Sequence, residues 1–338
     1  MNSIGYEQMY SFAEKKAAVS NGAKWGFVDT TGELIIPMQF NQVYSFSEGM
    51  AWVDFGKHFG FVNEVGETQF EFTNYETLSF HEGLCAFKDK YQWGFFNPKG
   101  EQVVQPKYQD VWNYVNHYAG VRYNNKMGFI DKNGNEIIPP VKYYAVDDFS
   151  CGLARVYQGQ YFGFINPAGE EVIPCMYESA LNFSEGFAAV KYKGKWGFVT
   201  TAGDLAIDFI YDRTTLGFNE GLCGVVQKDR LGFINREGFL QIDCRFPYLD
   251  IDNECLLEFR EGFCVVRDIN CDGYRYINTQ GALIGKPMEL AYGFSEGLGL
   301  MVKADLFGFI DKMGEVVIEP TYQHAGLFNY GVAIVLTN

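Results

Sequence analysis

A tripeptide with a central glycine between two large side chains recurs along this chain of 338 residues. From Gly26 to Gly232 the successive glycines lie 34 or 35 residues apart, which is typical of tandem repeats that contact only their neighbours. The eighth copy has arginine at the centre, and the copies are Trp25-Gly26-Phe27, Phe59-Gly60-Phe61, Trp93-Gly94-Phe95, Met127-Gly128-Phe129, Phe162-Gly163-Phe164, Trp196-Gly197-Phe198, Leu231-Gly232-Phe233, Tyr274-Arg275-Tyr276 and Phe307-Gly308-Phe309.

Each repeat contains three short apolar runs separated by turn residues. In the sixth copy, the phrase Phe183-Ser184-Glu185-Gly186 opens a run that ends at Tyr192, and a Lys193-Gly194 turn leads to the tripeptide run. Two runs around a glycine turn predict a β-hairpin. A second glycine turn and a third run ending in proline follow, as in Glu136-Ile137-Ile138-Pro139. We therefore expect tandem three-stranded antiparallel β-meanders, whose short strands need neighbouring repeats to complete a core.

Two recurring residues need a structural reason. A glycine inside a strand marks a bulge or a close approach, so we expect an aromatic ring from an adjacent strand or repeat to lie across the tripeptide glycine. Arg275 leaves no room for such a ring, which predicts a local distortion in the eighth copy. The glutamate of the phrase recurs at one repeat position, which predicts hydrogen bonds to turn amides rather than a single active site. These glutamates are Glu48, Glu82, Glu185, Glu220, Glu261 and Glu296.

The composition narrows the classes of partner and the compartment. The net charge is −15 with only 27 lysines and arginines, which argues against nucleic acid and membrane partners. The sequence has no apolar run long enough for a transmembrane helix, and its start lacks the apolar segment of a signal peptide. Cys85, Cys223 and Cys264 occupy a position where other repeats have alanine. Cysteine used as a small apolar residue favours the reducing cytoplasm over a disulfide framework.

The repeat phrases resemble a known family. Lys24-Trp25-Gly26-Phe27-Val28-Asp29, Phe183-Ser184-Glu185-Gly186 and Lys195-Trp196-Gly197-Phe198-Val199 are similar to the bacterial WG (or KWG) repeat. The resemblance covers nearly the whole chain. It implies a β-repeat fold and a binding role, and it implies no reaction and supplies no catalytic or ligand residue. We expect no cofactor. We expect one domain over residues 1–338, made of nine repeats and a C-terminal capping strand.

The repeats could form an open array or a closed ring. A period of 34 residues is short for a four-stranded propeller blade. Phe328 also begins a phrase that no tripeptide follows, and a linear stack would use such a surplus strand to cover an exposed end. The sequence therefore favours an open β-solenoid or superhelix, and a closed β-propeller is the alternative.

The stretch from Asp268 to Gly273 resembles the opening of a calcium loop. Asp268, Asn270 and Asp272 would supply oxygen ligands at alternate positions. Position twelve is Thr279 instead of glutamate, however, and strands flank the stretch. A lengthened polar hairpin turn is the simpler interpretation, and we assign no metal.

An insertion before the eighth copy carries several acids over residues 243–258. Asp250, Asp252 and Glu254 would make it a docking loop for a basic protein partner. The alternative is a surface loop without a function, which repeat proteins tolerate.

The fourth copy contains an unusual aromatic group. Trp112, Tyr114 and Tyr118 surround His117, which stands where other repeats have the turn glycine. Exposed rings of this kind stack on sugars or anchor peptides, whereas buried rings would only fill the core between repeats.

No metal-binding histidine spacing and no nucleophile, phosphate-loop or dinucleotide motif occurs in the sequence. We therefore expect a non-enzymatic, cytoplasmic scaffold that binds a protein partner through an extended β-repeat surface. A glycan-binding module that uses exposed aromatic residues is the alternative, and an enzyme is a remote third.

Overall fold

The computed structural model describes residues 6–73, 76–248, 257–268, 270 and 273–337. Every extended element in this part of the chain is a β-strand, so the predicted all-β class is confirmed. Within these residues, no helix is long and apolar enough to cross a membrane.

Each repeat contributes up to four antiparallel strands, ordered in the sheet as they occur in the chain. The first strands are Gln8–Met9, Gln42–Val43, Glu76–His81, Asp110–Val111, Ala145–Val146, Ser179–Ala180, Arg213–Thr214, Leu290–Ser295 and His324–Ala325. The second strands are Lys16–Ser20, Met50–Asp54, Leu84–Asp89, Ala119–Tyr123, Ala154–Gln158, Phe187–Tyr192, Leu222–Gln227, Phe263–Arg267, Leu298–Lys303 and Val335–Leu336.

The third strand carries the tripeptide, and the fourth strand follows the second glycine turn. The third strands are Trp25–Asp29, Phe59–Asn63, Gln92–Phe96, Lys126–Ile130, Tyr161–Ile165, Lys195–Thr200, Arg230–Asn235, Tyr274–Asn278 and Leu306–Ile310. The fourth strands are Leu34–Phe40, Thr68–Phe72, Gln102–Tyr108, Glu136–Tyr143, Glu171–Tyr177, Leu205–Tyr211, Leu240–Pro247, Leu283–Met288 and Val316–Tyr322.

The prediction of three strands per repeat was wrong by one short strand. Most first strands are only two residues long, and Gln42–Val43 pairs with the second strand through Gln42 opposite Asp54 and Val43 opposite Val53. Two residues are too few to show the alternation that identifies a strand in a sequence. Among the described residues, the sheet of the eighth repeat has three strands and the sheet at the C-terminal end has two.

The fourth strand bulges opposite the central tripeptide residue in every described repeat except the second, where Gly60 pairs directly with Glu71. In the first repeat Trp25 pairs with Phe40 and Phe27 pairs with Ile36, so the three residues from Pro37 to Gln39 stand opposite Gly26 alone. The proline therefore lies inside the fourth strand and does not end it, contrary to the sequence-based interpretation. A bulged residue does not donate to the ladder, which is why proline is tolerated there.

The bulge explains the tripeptide glycine. A β-carbon on Gly26 would lie 2.5 Å from the Ile36 carbonyl oxygen, and one on Gly128 would lie 2.0 Å from the Ile138 carbonyl oxygen. The predicted close approach is confirmed, but the approaching group is the backbone of the fourth strand instead of an aromatic ring. Gly60 and Gly197 are partial exceptions. The ring of Phe55 lies 3.1 Å from the β-carbon position of Gly60, and the ring of Phe209 lies 2.9 Å from that of Gly197.

The eighth repeat keeps the same pairing despite Arg275. Tyr274 pairs with Met288 and Tyr276 with Ile284, which is the bulge seen in the first repeat. The partner strand has an unusual backbone conformation at Gly285, where φ is 70°. The Gly285 carbonyl oxygen accepts a hydrogen bond of 2.6 Å from the Arg275 guanidinium. The distortion predicted at Arg275 is therefore found on its partner strand.

Neighbouring repeats share their hydrophobic cores, as the short strands predicted. One core cluster joins Phe27 and Ile36 of the first repeat to Phe46 and Val53 of the second. A second contact recurs at the glycine turns, where a β-carbon on Gly66 would lie 3.0 Å from the Ile36 side chain of the preceding repeat. Burial of apolar surface between repeats is therefore the main stabilising contribution.

The chain divides into two compact units, with the boundary inside the fifth repeat. The amino-terminal unit contains residues 1–149, 156–158 and 167–169, and its cores join repeats one to four. The carboxy-terminal unit contains residues 150–155, 159–166 and 170–338, with cores between its own successive repeats. The expectation of one domain over residues 1–338 with a capping strand stays a prediction.

We expect Gly128→Ala to destabilise the protein by about 3 kcal/mol, because its methyl group would overlap the Ile138 carbonyl oxygen and force the bulge to move. Urea unfolding followed by tryptophan fluorescence measures the change. Gly326→Ala is the matched control, since its β-carbon would meet no atom closer than 3.9 Å, and its effect should stay within about 0.5 kcal/mol. Equal destabilisation by the two variants would contradict this explanation of the glycine.

Candidate functional site

The glutamate–glycine phrases form two-residue hairpin turns between the first and second strands. In the second repeat the backbone groups of Ser47 and Met50 bond each other in both directions. Glu48 and Gly49 between them have φ values of 53° and 73°. Positive φ at both central residues is the requirement of a type I′ turn, which explains the glycine. His117 takes this glycine position with a φ of 74°, so it lies on the turn as the repeat pattern predicted.

The glutamate of each phrase bonds the turn of the following repeat. The Glu48 carboxylate accepts a hydrogen bond of 2.7 Å from the Gly83 N–H and a second one from the Glu82 N–H. The same contact, which we call the carboxylate latch, joins Glu14 to Glu48 and Gly49, Glu82 to His117, Glu185 to Gly221, Glu220 to Glu261 and Gly262, Glu261 to Gly297, and Glu296 to Gly331. The predicted bonds to turn amides are confirmed, but the amides belong to the next repeat.

Two further contacts support the latch. The serine of the phrase donates to the carbonyl oxygen of the next phrase, as from Ser47 to Phe80 at 2.6 Å and from Ser150 to Phe183 at 2.7 Å. In three cases a cation from the glycine turn of the next repeat also reaches the latch carboxylate. These ion pairs are Lys132 with Glu82 at 3.1 Å, Arg236 with Glu185 at 2.7 Å and Lys312 with Glu261 at 3.1 Å.

These contacts change the ionisation of the latch. Partial burial opposes ionisation of Glu82, but bonds from the Lys132 ammonium and the His117 N–H outweigh it and hold the pKa of Glu82 below its usual value. At Glu261 burial is again outweighed, by Lys312 and the N–H groups of the next turn, and the pKa is lowered. Both groups are therefore anionic at neutral pH and serve as hydrogen-bond acceptors.

The latch glutamate is replaced in two consecutive repeats. Asn116 takes its place in the fourth, where its side-chain amide donates to the Phe149 carbonyl oxygen at 2.7 Å. Cys151 takes its place in the fifth, with an exposed thiol and a φ of 50°. A glutamate at position 151 would bond the turn of the next repeat, which contains Glu185 and Gly186. Within the described chain, no carboxylate accepts a bond from the N–H groups of these two residues.

The structure separates the aromatic group that the sequence placed around His117. Tyr114 is buried and donates its hydroxyl to the Asp131 carbonyl oxygen at 2.8 Å, which makes it a core residue. Tyr118 is half-buried, with its ring centre 5.0 Å from that of Phe149. Trp112 is 36% exposed and covers Gly120, where a β-carbon would lie 3.3 Å from the indole. His117 is exposed, with its Nδ1 3.5 Å from a Glu82 oxygen. A shared stacking platform is therefore not formed.

The acidic candidates fall largely outside the described residues. Asp250, Asp252 and Glu254 of the insertion lie there, as does Asp272 of the calcium candidate. Of the other two calcium candidates, Asp268 accepts a bond from the Asn270 N–H at 2.8 Å and lies 3.4 Å from Arg275, so it organises a turn. In the described part of the chain, no group of three metal-binding side chains is assembled.

The charges are distributed unevenly between the two ends of the strands. The turn edge, where the phrases and the glycine turns lie side by side, carries few cations: Lys15, Lys16, Lys99, Lys132, Arg236, Arg260 and Lys312. Exposed acids recur there one residue after the turn glycine, at Glu33, Glu67, Glu101, Glu170, Asp204 and Glu315.

The tip edge, where a hairpin turn joins the second and third strands, mixes both charges. Its cations include Lys57, Lys88, Lys90, Arg122, Lys126, Lys142, Lys191, Lys193, Lys195, Arg213, Lys228 and Arg230. Exposed aromatic side chains also lie there, and Tyr91, Tyr123 and Tyr144 are 87%, 44% and 54% exposed. The sequence reasoning missed these tyrosines because the tips have no shared phrase, although their position beside turn residues was a signal.

Restoring the missing carboxylate should stabilise the carboxy-terminal unit. Cys151 has the backbone conformation of the latch glutamates, so Cys151→Glu should reach the Glu185 and Gly186 N–H groups without strain. We expect a gain of about 1 kcal/mol and slower hydrogen exchange at these two amides. Cys151→Lys is the control, because a lysine is a long side chain with donors but no acceptor. Equal stabilisation by lysine would rule out the latch as the cause.

Acid should weaken the latch. Because the folded-state pKa of Glu82 and of Glu261 is lowered, their contribution is complete above the ordinary glutamate pKa of about 4.3 and is lost as the pH falls below it. Urea unfolding at neutral pH and in steps below pH 5 measures the loss. A variant with Glu82→Gln and Glu261→Gln should start less stable and lose less on acidification. An unchanged acid dependence would contradict this assignment.

The fold resembles solved structures at low sequence identity. The crystal structure of a eukaryotic initiation factor has a TM-score of 0.51 and 10% identity, over 86% of this chain and 90% of that one. Hsv2p of Kluyveromyces lactis has a TM-score of 0.36 and 13% identity, over 80% and 93%. PorZ, a surface component of the type-IX secretion system of Porphyromonas gingivalis, has a TM-score of 0.30 and 8% identity, over 92% and 51%. The first similarity is one of fold and says nothing about function. The other two similarities are too low to establish a shared fold.

The sequence comparison concerns the repeat itself. No curated protein matches the chain in sequence. The model of the WG containing repeat matches residues 25–57, 93–126, 127–161, 162–196, 196–230 and 307–338. These segments make up more than half of the chain, and the resemblance seen in the tripeptides is confirmed. The chain belongs to the family of proteins built from the WG containing repeat.

Proposed function

We propose that this protein is a non-enzymatic scaffold whose turn edge binds a basic protein partner. The observation that carries the proposal is the recurrence of exposed acids at one repeat position. In the amino-terminal unit Glu33, Glu67 and Glu101 each follow the glycine of successive turns. Acids presented at a regular interval suit a partner with several lysines or arginines, because complementary charge sets the register and speeds association.

The cations of the turn edge do little to neutralise these acids. Lys132 is engaged by a latch carboxylate, and Lys16 pairs with Glu64. Glu67 and Glu101 accept hydrogen bonds from Asn63 and Asn97, at 2.9 Å and 2.7 Å, which hold the carboxylates in place. A fixed acceptor loses less conformational freedom when a partner binds, which favours affinity.

The chemistry of the side chains supports a scaffold over an enzyme. The recurring glutamates are used by the latch in repeat after repeat. Burial raises the pKa of the Cys223 thiol to about 12 and raises the pKa of Cys85 and Cys264 as well, so these thiols stay protonated at neutral pH. Protonated, buried thiols are poor nucleophiles. They also suit a reducing compartment, and a cytoplasmic location is part of the proposal.

The glycan-binding alternative now depends on different aromatic residues. Tyr114 and Tyr118 are used in packing, which leaves Trp112 and the tyrosines of the tip edge as candidates for stacking on sugars.

The arrangement of the repeats is also a proposal. The surplus phrase at Phe328 supports the open stack, whereas four-stranded sheets support the alternative, the closed β-propeller, since blades usually have four strands. Small-angle X-ray scattering separates the two. A compact chain of this length has a radius of gyration of about 20 Å, and an open stack would be clearly larger.

The binding proposal is tested by charge removal. A variant with Glu33, Glu67 and Glu101 changed to glutamine should bind a basic model ligand, poly-L-lysine, roughly tenfold more weakly at low salt, because three exposed ion pairs are lost. Fluorescence anisotropy measures the affinity. Changing Glu71 and Glu76 to glutamine and Asp89 to asparagine removes the same charge from the tip edge and should have a smaller effect.

Capture from a bacterial lysate extends the test to natural partners. Basic proteins retained by the wild type at low salt, released at high salt and lost with the turn-edge variant would support the proposal. Equal weakening by the two charge variants, or retention of glycans instead of proteins, would contradict it.

A further inference from the structure

We propose that the tip edge of the third and fourth repeats binds an acidic peptide segment of a protein partner. The surface is defined by Tyr91, Tyr123, Lys126, Val141 and Tyr144, all in the amino-terminal unit, and we call it the tip surface. It lies at the opposite end of the strands from the turn edge. Its ligand is acidic, whereas the ligand proposed for the turn edge is basic. The inference is therefore independent of the proposed function.

The tip surface exposes large side chains that the repeat does not need. Tyr91 is 87% exposed, Val141 74%, Tyr144 54% and Tyr123 44%. Small or polar residues occupy the tips of some other repeats, such as Gly56 and Lys57 in the second and Gly194 in the sixth, whereas the fifth has one exposed ring, Tyr161. Single exposed apolar residues are ordinary, but several in adjacent repeats mark an interaction surface.

The fourth repeat holds part of this surface rigidly. Tyr123 and Lys126 are paired across the two-residue turn Asn124-Asn125, both of whose residues have positive φ. The Gln109 side chain accepts a bond of 2.9 Å from the Asn125 N–H and fixes the turn. A tip that is fixed before binding pays less conformational entropy when a ligand arrives.

Lys126 decides which ligand fits. Its ammonium lies 3.2 Å from the centre of the Tyr144 ring and donates a bond of 3.2 Å to the Lys142 carbonyl oxygen. An ammonium has three donors, so Lys126 keeps capacity for a carboxylate. Because it also covers one face of Tyr144, that face is closed to sugar stacking. The site thus favours a carboxylate beside apolar side chains, which an acidic peptide provides.

The local charge agrees with this assignment. Arg122 is paired with Asp110 at 2.9 Å and Lys88 with Glu76 at 3.2 Å. No described carboxylate is paired with Lys90 or Lys126. On a chain with net charge −15, cations left available beside exposed rings are a local exception. An acidic segment is repelled by the turn edge, so the repulsion elsewhere directs it to the tip surface.

The test uses the full chain and a fluorescein-labelled copolymer of glutamate and tyrosine as the probe. Fluorescence anisotropy should show salt-sensitive binding that Lys126→Gln weakens about tenfold, through loss of a charge-assisted hydrogen bond. Tyr91→Ala should also weaken binding, and its high exposure means that the fold is not at risk. Lys193→Gln, at the tip of the sixth repeat, is the matched control and should leave the affinity unchanged.

Other results would overturn the proposal. Absence of binding, or equal weakening by Lys126→Gln and Lys193→Gln, would show that the tip surface is not a site. Polygalacturonate that binds with the same dependence on Lys126 and Tyr91, while the copolymer does not bind, would assign the surface to an acidic glycan instead. The turn-edge variant of Glu33, Glu67 and Glu101 should leave copolymer binding unweakened, so failure of one proposal does not decide the other.

Discussion

The fold depends on a close approach between two strands of the same repeat. The fourth strand bulges closely over a third-strand residue without a β-carbon, as at Gly26 and Gly128. Where Arg275 takes the glycine position, the bulge is kept, with Gly285 at a φ of 70° on the partner strand. In the first repeat the bulge inserts two extra residues between paired positions, and such an insertion increases the local twist. It also lets proline enter a strand without leaving a ladder acceptor empty. The large residues beside the glycine then fill the core that neighbouring repeats share, so one small residue sets both pairing and packing.

The repeats are joined by two kinds of interaction that act at different places. Apolar side chains fill the space between successive sheets, and this contribution does not depend on direction. The carboxylate latch acts at the turn edge and is directional, because a side chain of one repeat meets the backbone of the next. Its glutamate is replaced by Asn116 in the amino-terminal unit and by Cys151 in the carboxy-terminal unit. The exposed carboxylates at the turn edge and the cations at the tip edge give the two ends of the strands different charge.

The sequence predicts this fold well where a feature recurs and poorly where it does not. Nine tripeptides predicted the strands, the shared core and the family, and the recurring glutamate predicted bonds to turn amides. A first strand of two residues is too short to show a pattern of alternation. Pro37 suggested the end of a strand, because a single sequence does not show where a strand bulges. Tyr114 looked like a binding residue, but it takes the buried phenylalanine position of the phrase. Exposure, which separates Tyr91 from Tyr114, is set by three-dimensional packing, and the turn residues beside Tyr91 were its one signal in the sequence.

The latch has a consequence for how such a chain can change over evolutionary time. Its acceptor is a side chain, but its donors are backbone N–H groups that every residue except proline possesses. A repeat therefore need not match its predecessor in sequence to be held by it. A copy that loses its glutamate, as at Asn116, is still bonded by the preceding carboxylate of Glu82 through the His117 N–H, and it lacks the latch only toward the next repeat. Duplicated or shuffled copies would fit into the series at once, which suits a protein that lengthens by copying its own parts.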